Sequence, residues 1–438
     1  MKKNMIILML VYITSVMSVN AEFIYYCKLD AGFVPCHITR GRTSNGAHIA
    51  EATLYQLTYF HFDFPSSRSL KEKQPRVINI PSEVEVYCAG GFGGESSQGK
   101  FTVTGIGKLT FGDCTNVVEI NLPSTIKYIG SQAFLNCSKL KSINLPAGIN
   151  YVNPSAFEGC TSLEQINVGK EGQKNNAGCT VIDGMLCYKD TIYCVPWARF
   201  NASNGEFTVP SQIVGIHAKT FAGNQTIRKV SMTRGCIGDE AFKGCNNLTE
   251  VVLGNEVTDI GESAFEECLA LEKAIIPASV KTLKKRTFYW CMSLKSVSLG
   301  EGLQKIGPSA FESCTSLQAI TIPRSITDID KEAFKGCTTM RSVTFPSSTA
   351  GLKQINQGVF SFCESLKEIK FPTGIKSVEK NAFLGCTALE RVILNTDIEN
   401  IFGYSFMGCS NLTTINIPTK TYVNSNAFDD CPKLKLKR

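Results

Sequence analysis

Between Leu140 and Pro146 the chain reads Leu-Lys-Ser-Ile-Asn-Leu-Pro. Ile143 and Leu145 alternate with Ser142 and Asn144, the period of two that sends one set of side chains inward and the other outward along a strand. Pro146 lacks the amide donor that a ladder needs, so the strand ends there. The phrase returns. F-x-x-C-x-x-L-x-x-I-x-L-P, with L and I standing for aliphatic residues, describes both the stretch from Ala133 to Val152 and that from Ala333 to Ser348. Its phenylalanine recurs at Phe111, Phe134, Phe157, Phe221, Phe242, Phe265, Phe288, Phe311, Phe334, Phe360, Phe383, Phe406 and Phe428. Most steps are 23 residues, with single steps of 64, 26, 21 and 22. Between strands, Ile149, Val152, Ala156 and Phe157 supply a second apolar wall.

No single coil of this length buries its apolar face, so the coils must stack and share a core. A fixed 23-residue period lies in the range of leucine-rich repeats. The prediction is a β-rich solenoid: a leucine-rich repeat of about 13 coils, one strand per coil in a parallel sheet, with an N-terminal β cap and one hairpin insertion. The pattern resembles the BspA-like leucine-rich repeat family, whose consensus is similar to L-x-x-I-x-L-P-x-x-I-x-x-I-g-x-x-A-F-x-x-C, over about residues 104–434. Two irregular stretches share the resemblance. Val181 to Pro196 looks like the family's hairpin insertion and accounts for the 64-residue step. Val77 to Pro81 looks like the last strand of its cap. The expected division is a signal peptide over 1–21, a cap over 22–103, repeats over 104–168, the insertion over 169–210, and repeats to the end over 211–438.

The N-terminus supplies the signal. Lys2 and Lys3 precede an apolar run from Met5 to Val19, and Val19-Asn20-Ala21 offers small residues for cleavage. That run suits an export signal and is too short for a stable membrane span. A second apolar run of membrane length is absent from the sequence. The mature chain is therefore expected to be exported: secreted, periplasmic or peripherally attached to the cell surface. The formal charge of +7 rests largely on Lys2, Lys3 and the last six residues, which hold Lys433, Lys435, Lys437 and Arg438. No basic stripe with interleaved aromatics remains for nucleic acid.

One stretch imitates different chemistry. Gly94 to Lys100 fits G-x-x-x-x-G-K, the spacing of a phosphate-binding loop. A working loop continues with a Ser or Thr for magnesium and then a helix, whereas Lys100 is followed by Phe101 and the β-branched run Thr-Val-Thr. The stretch reads as a hairpin connection in the cap, and nucleotide is not an expected partner. Twelve of the nineteen cysteines, from Cys114 to Cys431, fall in one register of the repeat, with Asn224 in that register where a cysteine is missing. Stacked in parallel they suit the disulfide dihedral poorly and read as buried thiols. Cys27 with Cys36, and Cys187 with Cys194, are the candidate disulfides. Each pair flanks a turn-like stretch. No zinc spacing and no nucleophile–base motif occurs. Asp328, Asp330 and Glu332 read as a solvated edge rather than a calcium site. The chain is accordingly read as a non-enzyme without metal or cofactor.

The outward positions of stacked strands form rows. Lys141, Arg228, Lys273, Lys295, Arg341, Lys367, Lys370, Lys229 and Arg391 are the candidate partner-binding cations among them. Extended faces of this type bind proteins or peptides, and the family resemblance implies bacterial surface proteins that attach to host matrix proteins or other cells. The expected partner is an extracellular or host protein. The alternative partner is a glycan, which needs exposed rings, with Trp197, Tyr188 and Tyr193 in the insertion, or Tyr55, Tyr59 and Phe60 near the cap, as candidates.

Overall fold

The computed structural model describes residues 25–29, 32–42, 48–54, 76–87, 98–168 and 178–435. The expected signal segment lies outside them. The chain divides into two compact units. Unit 1 holds the described residues up to Lys189 together with Tyr193–Arg199, and unit 2 holds Asp190–Ile192 and Phe200 onward.

Unit 1 begins with β1 (Tyr25–Leu29), β2 (Gly32–Arg42), β3 (His48–Leu54), β4 (Arg76–Asn79), β5 (Glu83–Tyr87) and β6 (Gln98–Ile106). β1, β2 and β3 form an antiparallel meander, and β5 pairs antiparallel with β6, Glu85 opposite Lys100. Gly99 and Lys100 thus lie inside a strand of a hairpin, and no helix follows them to receive a phosphate. The coils follow as β7 (Val117–Asn121), β8 (Tyr128–Ile129), β9 (Ser142–Leu145), β10 (Tyr151–Val152) and β11 (Gln165–Val168). β4 pairs in parallel with β7, and β9 with β11, on one wall. β6, β8 and β10 pair in parallel on the other. Each coil therefore carries a second short strand besides the one the alternation predicts.

The insertion opens with β12 (Cys179–Ile182) and β13 (Met185–Tyr188), an antiparallel hairpin with Ile182 opposite Met185. Its two-residue turn is Asp183-Gly184, at φ of 50° and 72°. Positive φ at both central positions is the demand of a type I′ turn, which Asp-Gly meets. β14 (Thr191–Cys194) and a four-residue helix α1 (Arg199–Ala202) complete it. Unit 2 continues with β15 (Glu206–Thr208), β16 (Gly215–Ile216), β17 (Lys229–Ile237), β18 (Glu250–Ile260) and β19 (Lys273–Ile276). Its outward-row ladder runs on in register to Ser296–Leu299, and a second parallel ladder joins Ala319–Thr321, Ser342–Thr344, Glu368–Lys370, Arg391–Ile393 and Thr414–Ile415.

The interior is built from two columns. In unit 1 Phe111, Phe134 and Phe157 stack at 5.7 and 5.2 Å between ring centroids. In unit 2 the rings from Phe221 to Phe428 stack at 4.8 to 5.5 Å, nearly parallel. Those separations fall within the range of offset aromatic pairs. Beside them each column thiol after Cys114 donates to the carbonyl of the preceding coil's phenylalanine: Cys137 to Phe111, Cys245 to Phe221, Cys291 to Phe265 and Cys386 to Phe360, for example, at 3.1 to 3.2 Å. The cysteine is thus a small apolar filler that also ties one coil to the last. Asn224, fully buried in the same register, turns its Oδ1 to the amides of Thr226 and Ile227 instead.

Candidate functional site

The outward rows differ between the units. On the face of unit 1, Asn121 Nδ2 donates to Asn79 Oδ1 and Asn167 Nδ2 to Asn144 Oδ1, both at 2.9 Å. In-register strands place like residues side by side, and an amide can donate to its own kind. On the face of unit 2 opposite charges do the same work. Lys229 meets Glu250 at 2.9 Å, Lys295 meets Glu272 at 3.0 Å, and Arg391 meets Glu368 at 3.4 Å. Glu250 holds the Lys229 ammonium above its usual range, first through their hydrogen bond and then through its charge. Three of the nine cations expected to bind a partner are therefore engaged with carboxylates of the protein itself. Lys141, Arg228, Lys273, Arg341, Lys367 and Lys370 form no ion pair among the described residues.

Two apolar side chains interrupt this polar face. Val252 and Ile275 stand on adjacent strands, one residue beyond the paired Val251 and Ala274, and are 42% and 44% exposed. Lys273 and the pairs Lys229–Glu250 and Glu272–Lys295 border them. A second apolar strip lies at the corners of unit 2, where Leu269, Trp290 and Met292 are exposed. Trp290 adopts φ 60° there, two residues after the column phenylalanine; the adjacent coils place Glu267 and Ser313 at that corner. Sequence reasoning passed over this strip, although the register marks it: Leu269 and Met292 sit where most coils carry Thr or Ser.

The ring candidates of the insertion are disposed otherwise than a sugar platform requires. Trp197 is buried, only 7% exposed, and so is withdrawn from any stacking surface. Tyr188 and Tyr193 meet edge to face at 5.8 Å, and Lys189 Nζ lies over the Tyr188 ring. Tyr128 and Tyr151 stack face to face at 5.5 Å, which turns their ring faces toward each other. Burial, followed by the neighbouring Tyr151 and Tyr188, raises the Tyr193 phenol above its usual value.

Cys187 and Cys194 are buried thiols that are not joined to each other. The residues of positive φ between β13 and β14 are Lys189 and Asp190, which moves the turn by one position and removes the symmetry of the two cysteines about it. Cys187 Sγ is directed at the Met185 carbonyl and Cys194 Sγ at those of Asn153 and Pro154. In the first hairpin the register sets Cys27 opposite Val34 and Cys36 opposite Tyr25, so the two are not cross-strand partners. At the acidic edge, Lys305 Nζ sits 2.8 Å from Asp328 and 3.2 Å from Asp330, while Lys335 takes Glu332 at 3.1 Å.

Unit 1 holds a cavity of about 390 Å³. Glu164, Gln165, Asn167 and Val168 line one side; Val181, Asp183, Gly184 and Arg199 line the other. Arg199 is held there by the Asp183 carboxylate and carbonyl. The sequence carried one signal for this cavity, the Asp-Gly hairpin turn. Which side chain would close the far side was not legible.

Set beside known proteins, the chain matches the model of the BspA type leucine rich repeat region in six copies, over residues 95–180, 215–341 and 338–436. The chain belongs to that family. Among solved structures it is similar to a leucine-rich repeat protein from Bacteroides ovatus, at 24% identity over 91% of this chain and 92% of that one, with a TM-score of 0.54. A leucine rich cell surface protein from Faecalibacterium prausnitzii aligns at 20% identity over 94% and 99%, with a TM-score of 0.46. No curated protein matches. The first of these likenesses shows the fold, a scaffold typically used for interaction rather than catalysis. Among the described residues no helix is long and apolar enough to cross a membrane.

Proposed function

We propose that this chain is an exported, cell-surface or secreted protein that binds another protein through the outward sheet face of its repeats. The observation that carries the reading is the Val252–Ile275 pair. Two exposed aliphatic side chains within a charged border match the composition of a protein–protein contact, an apolar centre inside a polar rim. Unpaired Lys273 beside them, and Arg341, Lys367 and Lys370 further along, would steer an acidic partner. A host matrix protein fits this chemistry, and the family resemblance points the same way. The glycan alternative draws less support from the insertion, because Trp197 is buried and Tyr188 and Tyr193 pack edge to face against each other; Tyr55, Tyr59 and Phe60 lie outside the described residues.

The test is binding of the purified protein to immobilised matrix glycoproteins, each intact and enzymatically deglycosylated. Binding is expected to survive deglycosylation and to fall at least tenfold in Ile275→Asp, since burial of such a side chain is worth about 1.5–3 kcal/mol. Binding that vanishes with the sugars, or that ignores Ile275→Asp, would sink the proposal.

A further inference from the structure

Trp290 and Phe362 each lie two residues after a column phenylalanine, at φ of 60° and 59°. Bulky residues adopt this left-handed conformation at a cost. The remaining coils fill the same corner with Gly, Asp, Asn, Ser or Glu. Both rings face solvent all the same, 46% and 42% exposed. Strain that the core does not require points to a use outside it. The rings are also held in place. The indole is parallel to the Tyr289 ring within 6°, with centroids 5.8 Å apart, and the Arg286 guanidinium sits over Tyr289 at 4.5 Å. The Phe362 ring is seated against Gly385 of the next coil, where a Cβ would fall 2.7 Å from a ring carbon. The column phenylalanines from Phe288 to Phe360 are spaced by 5.3 to 5.5 Å, which sets the two corners roughly 16 Å apart along the stack. Ser313 and Gly336 occupy the corners between them.

We propose that this edge of unit 2 binds a neutral linear glycan, with one sugar ring on Trp290 and another, further along the chain, on Phe362. A pyranose offers a face of C–H bonds that meets the negative face of an aromatic ring, and a rim of hydroxyls. The rim finds uncommitted partners: the Trp290 indole N–H and the hydroxyls of Tyr289 and Ser313 hold no hydrogen bond among the described residues. Neighbouring charges cancel. Lys243 and Arg286 hold Glu266, and Lys335 holds Glu312. Glu267 and Lys285, which form no ion pair among the described residues, are opposite in sign, so a charged ligand gains nothing here. An extended peptide finds no open strand, because the amides of Arg286, Phe288 and Trp290 already donate to carbonyls of the next coil. The site lies apart from the Val252–Ile275 pair and goes beyond the function proposed for that face.

The experiment titrates the full protein with linear hexasaccharides of glucose, mannose, xylose and N-acetylglucosamine, with affinities read by calorimetry. Of the two tryptophans only Trp290 is exposed, so acrylamide quenching of indole fluorescence reports on it. At least one hexasaccharide is expected to bind and to shield Trp290 from acrylamide. Trp290→Gly should weaken that binding at least tenfold and leave the melting temperature unchanged or higher, since glycine suits this backbone. The hexasaccharide should bind at least tenfold tighter than its disaccharide. Phe362→Gly should erase that difference, because only the longer chain reaches both rings.

No binding of any of these hexasaccharides, an affinity unmoved by Trp290→Gly, or a length effect that persists in Phe362→Gly would overturn the proposal. So would capture of a deglycosylated matrix protein that is lost in Trp290→Gly, since the corner would then take protein. Hexasaccharide binding without capture of any deglycosylated protein would support this edge and count against the sheet face. Protein capture without hexasaccharide binding would overturn this inference alone.

Discussion

β9 and β11 of unit 1 present Asn144 and Asn167 joined by an amide hydrogen bond, whereas in unit 2 the Lys229–Glu250 and Glu272–Lys295 pairs lie around Val252 on β18 and Ile275 on β19. Behind both faces lies the same interior, a phenylalanine stack with thiols tied to carbonyls. The period fixes what points inward and constrains what points outward only by neighbour against neighbour. An in-register row tolerates identical amides or alternating charges, and it penalises like charges directly opposite. One scaffold can therefore carry a neutral face and a charged face without any change inside.

The largest way to separate the units is alkali. Unit 2 holds eight buried column thiols, from Cys245 to Cys409. Burial raises all of them, Cys386 to about 12 and others further, although for Cys409 the hydrogen bond with Cys431 is the larger cause. In unit 1 Cys137 is raised too, chiefly through its hydrogen bond with Cys160, and so is Cys194, through burial. The folded state keeps protons that the unfolded chain releases above about pH 8.5, so stability is full below that value and falls as pH rises toward the folded values. Each thiol contributes up to about 1.4 kcal/mol per pH unit. Hydrogen exchange at pH 8 and pH 10, quenched and read by mass spectrometry after correction for intrinsic rates, should show unit 2 losing protection well before unit 1. Equal loss would break the comparison.

Next in size is the shared interior. Phe134→Ala and Phe288→Ala each remove a ring stacked on both sides and should each cost about 3–5 kcal/mol. Urea denaturation would read the two, and a difference above about 2 kcal/mol would mean that the interiors are not equivalent. The faces come last. Lys295→Ala should cost about 0.2–1 kcal/mol and less in high salt, since its partner Glu272 is exposed. Asn144→Ala should cost about 0.5–1.5 kcal/mol and be indifferent to salt. A salt-sensitive Asn144 variant would contradict the amide account.

How much of this could be read beforehand follows from where the information sits. Phe288 and Cys291 were legible because their neighbours are copies of themselves at a fixed spacing. The ion pairs were half-legible: Glu272 and Lys295 are consecutive members of one row, so their contact follows from the period. The insertion was opaque, having no copy to align against. There a one-residue displacement of the turn to Lys189-Asp190 separated Cys187 from Cys194, and the chain folded Trp197 inward.

The tie from each thiol to the previous coil's carbonyl lies along the stacking direction, as do the ring contacts beside it. Tension applied to the end of unit 2 would therefore load one inter-coil seam at a time. A coil that gives way occupies about 5 Å of stack and frees 23 residues, roughly 80 Å of extended chain. Such a protein under shear would lengthen in near-equal steps and keep the remaining coils, with whatever they hold, intact.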